Sequence, residues 1–426
     1  MLKVSIPNKC VREQRYILSI MLEDFLGISF CSEIHESDCI LISIEGSDVT
    51  LSLDTSFFGL AHSSWLKSST MPVLPLNWWD LNSDGIEISQ IEGDVPILFG
   101  AAGIIKSTNS WHVNADLFGG AFFMLSRYEE LVGTVLDEHN RFPASASIAS
   151  KAGFLDRPIV NEYLEILWEC IQGLWGEEVT FSRKVRKYRK LVSCDVDHPI
   201  DHAGYSLSRT IKRVAARLFR DRNPRLACND FCNYLFKTIG SDKYDSYLND
   251  IHWMVSVNKR VGNVVAFYFI PMQTNSVYED ANSIRSPKIQ ALIDSLHQSG
   301  QEIGIHPGYD TYNNEVEFTK SISQFTSVYD LSNEGDSGVG GRQHYLRYGV
   351  GVTPRLWEGN GLRYDSSLGY ADSAGFRAGS CYEYTMYDLI ARRPLKLKQR
   401  PLVAMDCAVI SKGYEGLGFT SIAMRR

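Results

Sequence analysis

Residues 191–199 read LVSCDVDHP. A short apolar run, Leu191-Val192-Ser193-Cys194, gives way to two carboxylates two residues apart, Asp195 and Asp197. This is the pattern of a brief buried strand that leaves its sheet through an acidic loop. The alternation continues downstream. VVAFYFI (264–270) is a second strand, rich in β-branched and aromatic residues. Ser286 can cap a helix opened by Pro287, with Ile289, Leu292, Ile293 and Leu296 on its apolar face and Gly300 at its end. Glu302 to Ile305 is the next strand and runs into His306. Phe318, Ile322, Phe325 and Tyr329 recur at helical spacing. Thr353-Pro354 opens a short helix, Gly361 can end it, and Leu362 to Tyr364 is a strand running into Asp365. Leu402 to Met405 is a late strand that reaches Asp406. Strands separated by helices predict an α/β fold with a parallel sheet. Asp195, Asp197, His306, Asp365 and Asp406 all follow strand ends, the edge on which a β/α barrel builds its site.

Toward the N-terminus the chemistry thins out. RKVRKYRK (183–190) is a basic run that crosses a boundary. Before it, residues 1–182 predict a separate α/β or α+β domain. Short apolar runs occur at Cys39–Ile42 and Val95–Phe99, and apolar residues take helical spacing from Phe118 to Val132. Pro158 to Trp175 is the strongest helix, lined by Ile159, Tyr163, Ile166, Leu167, Cys170 and Leu174. His112 and His139 are isolated and read as structural. The expected division is therefore 1–182 and 183–426.

The bulk numbers bound the answer. At 426 residues the chain exceeds one ordinary core. Its 44% hydrophobic and 22% charged residues describe a globular protein and exclude disorder. A net charge of −7 gives no overall attraction to nucleic acid. The opening MLKVSIPNKCVREQRYILSIMLEDFLGISF intersperses charges among its apolar residues, unlike a signal peptide. No run approaches the roughly 18 apolar residues of a transmembrane segment. Nine scattered cysteines fit reduced thiols in a cytoplasm. Cys228 and Cys232 have no second Cys or His pair nearby and read as incidental. A second basic stretch spans Arg209 to Arg225. It fits a solvated surface, or contact with an anionic glycan, a phosphate-linked lipid or a membrane. The interleaved aromatics of a nucleic-acid site are missing.

Four elements of the C-terminal half carry chemistry. In the first, one of Asp195 and Asp197 can ligate a divalent cation while the other stays free as a general base; alone, the pair also fits an acidic turn. In the second, EIGIHPGY (302–309), a strand delivers an imidazole to a loop mouth. The third, GRQHYLR (341–347), offers a cation, an imidazole and a phenol within four residues. The fourth is YDSSLGY (364–370), followed by Gly375-Phe376-Arg377. Each alone is also an ordinary loop.

Together, in this order, the four elements resemble the NodB-like polysaccharide deacetylases (carbohydrate esterase family 4 and relatives), and more closely a divergent bacterial branch with a long N-terminal extension. SRYEE (126–130) and FPASASIASKAGFLDRPIVNEYLEIL (142–167) resemble that extension. The resemblance implies a distorted, incomplete (β/α) barrel of NodB type over 183–426. It implies a metal-dependent N-deacetylase, with zinc as the expected divalent cation. Asp195 would be the base, Asp197 and His306 metal ligands, and Arg342 the residue that orients the base. The family's second His of that motif, four residues on, is Asp310 here. His344 is the favoured replacement as third ligand, and Asp310 the alternative. Tyr345 would give a backbone N–H to the oxyanion. Tyr309, Asp365, Tyr370 and Arg377 would contact the sugar. The expected partners are an N-acetylated glycan or sugar precursor and proteins of polysaccharide biosynthesis. The family's late-motif His, its general acid, finds no match before Arg426. GFTSIAMRR (418–426) reads as the opening of a helix, so the pattern is expected to continue past it. A non-catalytic carbohydrate-binding relative and a hydrolase of another C–N bond stay open.

Overall fold

The structure is a computed structural model and describes residues 1–176, 179–280, 283–331, 335 and 338–410. It resolves into two compact units, Met1–Arg186 together with the chain from Tyr345, and Lys187–His344. The contacts thus group the last part of the expected 183–426 domain with the N-terminal residues. No helix among the described residues is long and apolar enough to cross a membrane.

In the first unit, β1 (Leu2–Pro7), β2 (Phe30–His35), β3 (Ile40–Ile44) and β4 (Thr50–Leu53) enter a six-stranded mixed sheet. β5 (Asn77–Trp79) and β6 (Val95–Ile97) form a small antiparallel pair. β7 (Gly100–Lys106) and β8 (Ser110–Ala115) complete the large sheet in the order β2-β1-β3-β4-β8-β7. Its helices are α1 (Val11–Leu18), which continues as a π-helix over Ser19–Leu26, α2 (Ser56–Ser64), α3 (Leu117–Leu125), α4 (Tyr128–Val132), α5 (Ile148–Lys151) and α6 (Ile159–Trp175). The helix expected over 118–132 is broken. Arg127 takes φ +56° and begins α4 rather than continuing α3. The turn aims its buried guanidinium at Glu129 (2.7 Å) and Glu130 (2.8 Å). SRYEE thus forms a buried ion network.

The second unit begins with β9 (Val192–Val196). Three helices follow, α7 (Leu207–Phe219), α8 (Pro224–Thr238) and α9 (Ser246–Arg260). β10 (Val265–Phe269) is buried at every position, as befits a parallel strand covered on both faces. Each such large apolar side chain contributes roughly 1.5–3 kcal/mol by leaving water. α10 (Pro287–Gln298) buries Ile289, Leu292, Ile293 and Leu296, with Pro287 in its first turn and Gly300 beyond its end at φ +78°. β11 (Glu302–Ile305), α11 (Glu315–Thr326) and β12 (Gly340–Gly341) complete the unit. The four strands run parallel in the order β12-β11-β10-β9. No pairing among the described residues closes this sheet into a barrel. Asn314 caps α11 through the Glu317 N–H at 3.2 Å. Asn314→Ala is expected to lower stability by about 1 kcal/mol in denaturant titration.

From Tyr345 the chain adds α12 (Thr353–Gly359), β13 (Tyr364–Asp365), β14 (Tyr384–Asp388), β15 (Arg393–Gln399) and α13 (Asp406–Ile410) to the first unit. β15 pairs with β13 in parallel and β14 antiparallel. The strand expected at Leu402–Met405 does not form. Residues 401–405 are irregular, the Leu402 N–H meets the Leu368 carbonyl at 3.3 Å, and Asp406 opens α13. Polar anchors tie this segment to the N-terminal residues. Arg377 pairs with Glu130 at 2.7 Å, and Glu13 accepts from Arg392 (2.7 Å) and Tyr387 (2.8 Å). Residues 418–426, read above as the opening of a helix, lie outside the described residues.

Candidate metal centre

Three strand ends of the second unit deliver its candidate site residues. Asp195 lies on β9 and Asp197 just beyond it; His306 follows β11; Arg342 and His344 follow β12. All sit at the carboxyl edge of a parallel sheet, where open α/β folds place their ligand crevices. Backbone pairing fixes the loops. His306 N donates to the Phe269 carbonyl (2.8 Å), Arg342 N to that of Ile305 (3.0 Å) and His344 N to that of Pro307 (3.1 Å). Gly341 is needed for this closeness, because a Cβ there would lie 1.8 Å from the Ile305 carbonyl oxygen.

Donor atoms of Asp197, His306 and His344 lie within 4.8 Å of one another. The Nε2 atoms of His306 and His344 stand 3.4 and 3.7 Å from Asp197 Oδ1. The opposite ring nitrogens are occupied. His306 Nδ1 meets the Arg342 carbonyl at 2.5 Å, and His344 Nδ1 meets Glu279 Oε1 at 3.0 Å. A carbonyl cannot donate, so His306 must carry its proton on Nδ1. Both partners therefore leave Nε2 as the ring nitrogen that faces Asp197. The histidines are buried, whereas the Asp197 side chain is 46% exposed, so the centre opens on its carboxylate side. Two imidazoles and one carboxylate with an open face suit a zinc-like divalent cation. Asp310 is outside this group; it accepts from Asn275 Nδ2 at 3.1 Å.

Charge follows the same geometry. Burial alone would raise the Asp197 carboxyl, but the His306 contact and the charge of His306, His344 and His198 hold it below its usual range. Burial would lower His306; the charges of Asp195 and Asp197 and the Arg342 carbonyl raise it instead. Asp195 is held separately. Arg342 donates to it from Nη1 at 2.8 Å and to Ser193 Oγ from Nη2 at 2.7 Å, while its guanidinium lies 5.2 Å from the Tyr268 ring centre.

Glu279, missed in the sequence, is the main addition. It lies in an irregular connection after β10, and neither strand-end position nor periodicity marks it. Its carboxylate collects backbone N–H bonds from Thr274, Asn275 (2.9 Å) and Tyr309 besides the His344 ring. Gly308 admits this packing, since a Cβ there would meet Glu279 Oε1 at 2.8 Å. Burial would raise Glu279; the His344 bond and the three N–H donors outweigh it and pull it down to about 2. Its folded value is below its unfolded one, so its contribution is present at neutral pH. That contribution fades as pH falls from the ordinary 4.5 through about 2. Glu279→Gln is expected to flatten this part of the stability–pH curve. It should also weaken zinc binding about 10–100-fold in chelator competition.

Of the remaining expected site residues Tyr309 borders the centre, its ring 6.5 Å from that of His344, and the others lie in the first unit. Tyr309 is buried and stacks on Tyr278 at 4.2 Å, in the second unit. Tyr345 lies in the first unit at φ +60°, its ring 4.9 Å from that of His139 and its carbonyl 3.2 Å from Arg141 Nη1. Asp365, Tyr370 and Arg377, expected to contact sugar, lie in the buried interior of the first unit. Arg377 there binds Glu130 and the Gly369 carbonyl (2.7 Å), Tyr370 packs with Phe142 and Ala144, and Asp365 accepts from the Ser367 N–H (3.1 Å). Side chains buried and engaged in this way present no face to a sugar.

A family of unknown function (DUF7033) matches residues 2–176. No curated protein matches the chain. A solved structure from Mycobacterium smegmatis, described as a polysaccharide deacetylase, is similar at 15% identity and a TM-score of 0.28. The match covers 50% of this chain and 57% of that one.

Proposed function

We propose that the protein is a metal-dependent hydrolase that removes N-acetyl groups from a polysaccharide or its sugar precursor. The observation that carries this reading is one arrangement. An Arg342-held carboxylate, Asp195, stands beside a separate donor set of Asp197, His306 and His344. Divided labour between two neighbouring carboxylates is what hydrolysis of an amide requires: one binds, the other moves a proton. A zinc ion held by the three ligands would polarise the amide carbonyl and acidify a water. Asp195 would accept the proton of the attacking water, and that proton would pass to the amine nitrogen as the C–N bond breaks and acetate leaves. Arg342 aims Asp195 through its 2.8 Å bond. Tyr278, exposed and stacked on the buried Tyr309, is our candidate for the sugar contact.

All nine cysteines are free thiols, which suits a reducing cytoplasm and hence a precursor rather than a finished polymer. The test is acetate release from N-acetylated sugars and oligosaccharides by the zinc-loaded protein. Zinc-dependent release is expected. Tight zinc binding with no release from any of them would favour a carbohydrate-binding relative instead.

A further inference from the structure

Two helices between β9 and β10 are turned inside out. In α7, Leu207, Ile211, Val214 and Leu218 recur at i, i+4, i+7 and i+11 and form one stripe. Such a stripe normally faces the core. Here Ile211 is 58% exposed, Leu207 and Leu218 are nearly half exposed, and Phe219 at the helix end is 83% exposed. The one buried residue of α7 is Thr210. In α8, Cys228, Phe231 and Leu235 lie outside, while Asp230, Asn233 and Lys237 are buried.

The polar sides are held inward by a closed network. Arg213 grips Asp201 with two bonds (3.1 and 2.7 Å) and reaches Asp230 at 3.2 Å. Lys237 bonds Asp245 (2.7 Å) and the Asp201 carbonyl (2.8 Å), and Asn233 donates to Asp201 at 2.7 Å. Rolling either helix to hide its apolar stripe would break these pairs and leave buried charges uncompensated. The outward stripes are therefore fixed.

Charge identifies what would cover them. Between Leu207 and Asn229 seven Lys and Arg face a single acid, Asp221, in a chain whose net charge is −7. Arg209, Lys212, Arg222 and Arg225 are exposed and pair with no carboxylate among the described residues. A second copy of the chain would bring like charges together. An anionic bilayer accepts both features, apolar side chains at the acyl boundary and cations among the headgroups. We propose that α7 and α8 dock the protein on the surface of an anionic lipid bilayer. This holds whether or not the metal centre hydrolyses amides.

The test is co-sedimentation of the full chain with phosphatidylcholine vesicles and with mixed phosphatidylcholine–phosphatidylglycerol vesicles. Binding is expected to the mixed vesicles, to weaken with added salt, and to fall at least about tenfold for Arg209→Glu/Lys212→Glu. Ile211→Ser/Phe231→Ser should lose binding to a similar extent, since burial of these side chains supplies the apolar part. Both pairs change exposed positions, and unchanged thermal unfolding checks that the fold survives. Intact protein that stays in the supernatant with mixed vesicles overturns the proposal. So does binding indifferent to the charge reversal, or a concentration-dependent dimer, seen by sedimentation equilibrium, that the same substitutions abolish without vesicle binding.

Discussion

Asp195→Asn is expected to lower zinc-dependent acetate release by about 10²–10⁴-fold while leaving zinc bound. The substitution keeps the size of the side chain and an oxygen for Arg342, 2.8 Å away. It removes the basic lone pair that, in the proposed reaction, takes the proton. Because Asp195 lies outside the donor set of Asp197, His306 and His344, the metal should be retained. Loss of zinc from this variant would make Asp195 a ligand, and undiminished release would end its assignment as the base. Arg342→Lys offers a graded companion. A lysine keeps the charge and loses the fork that joins Asp195 to Ser193, so a smaller loss in kcat is expected.

His344→Ala is expected to weaken zinc binding by about 10³-fold or more, at 1.4 kcal/mol for each factor of ten. That exceeds the 10–100-fold typical of residues that only support a ligand. Asp197→Ala and His306→Ala should behave alike. Asp310→Ala should leave affinity within a few-fold, because its carboxylate is turned to Asn275 rather than to the two imidazoles. Calorimetric titration of zinc into the metal-stripped protein reads all four. The reverse order, with Asp310→Ala crippled and His344→Ala unaffected, would transfer the third ligand to Asp310.

Periodicity and end signals determined the local elements. The apolar face of α10, its Pro287 start and its Gly300 end are visible in the sequence because they follow from contacts within a few residues. The same holds for β10, a run too apolar to be anything but a covered strand. Asp195, Asp197 and His306 were marked by strand ends, which a parallel sheet brings to one edge; Arg342 and His344 stood out only as a polar loop and by resemblance, because β12, just two residues long, left no apolar run to read.

Tertiary packing decided the rest, for a physical reason that recurs. Arg127, Glu130 and Arg377 look like surface or ligand residues because the sequence shows charge but not burial, and only the fold reveals that they neutralise one another. Glu279 carries no local signal because its role comes from a loop meeting His344 across 65 positions. Arg209 to Arg225 read in the sequence only as a basic stretch, and the direction of the stripes on α7 and α8 came from the fold. A sequence specifies that a helix has two faces; which face is buried depends on the partners, and here Asp201 and Asp245 claim the polar ones.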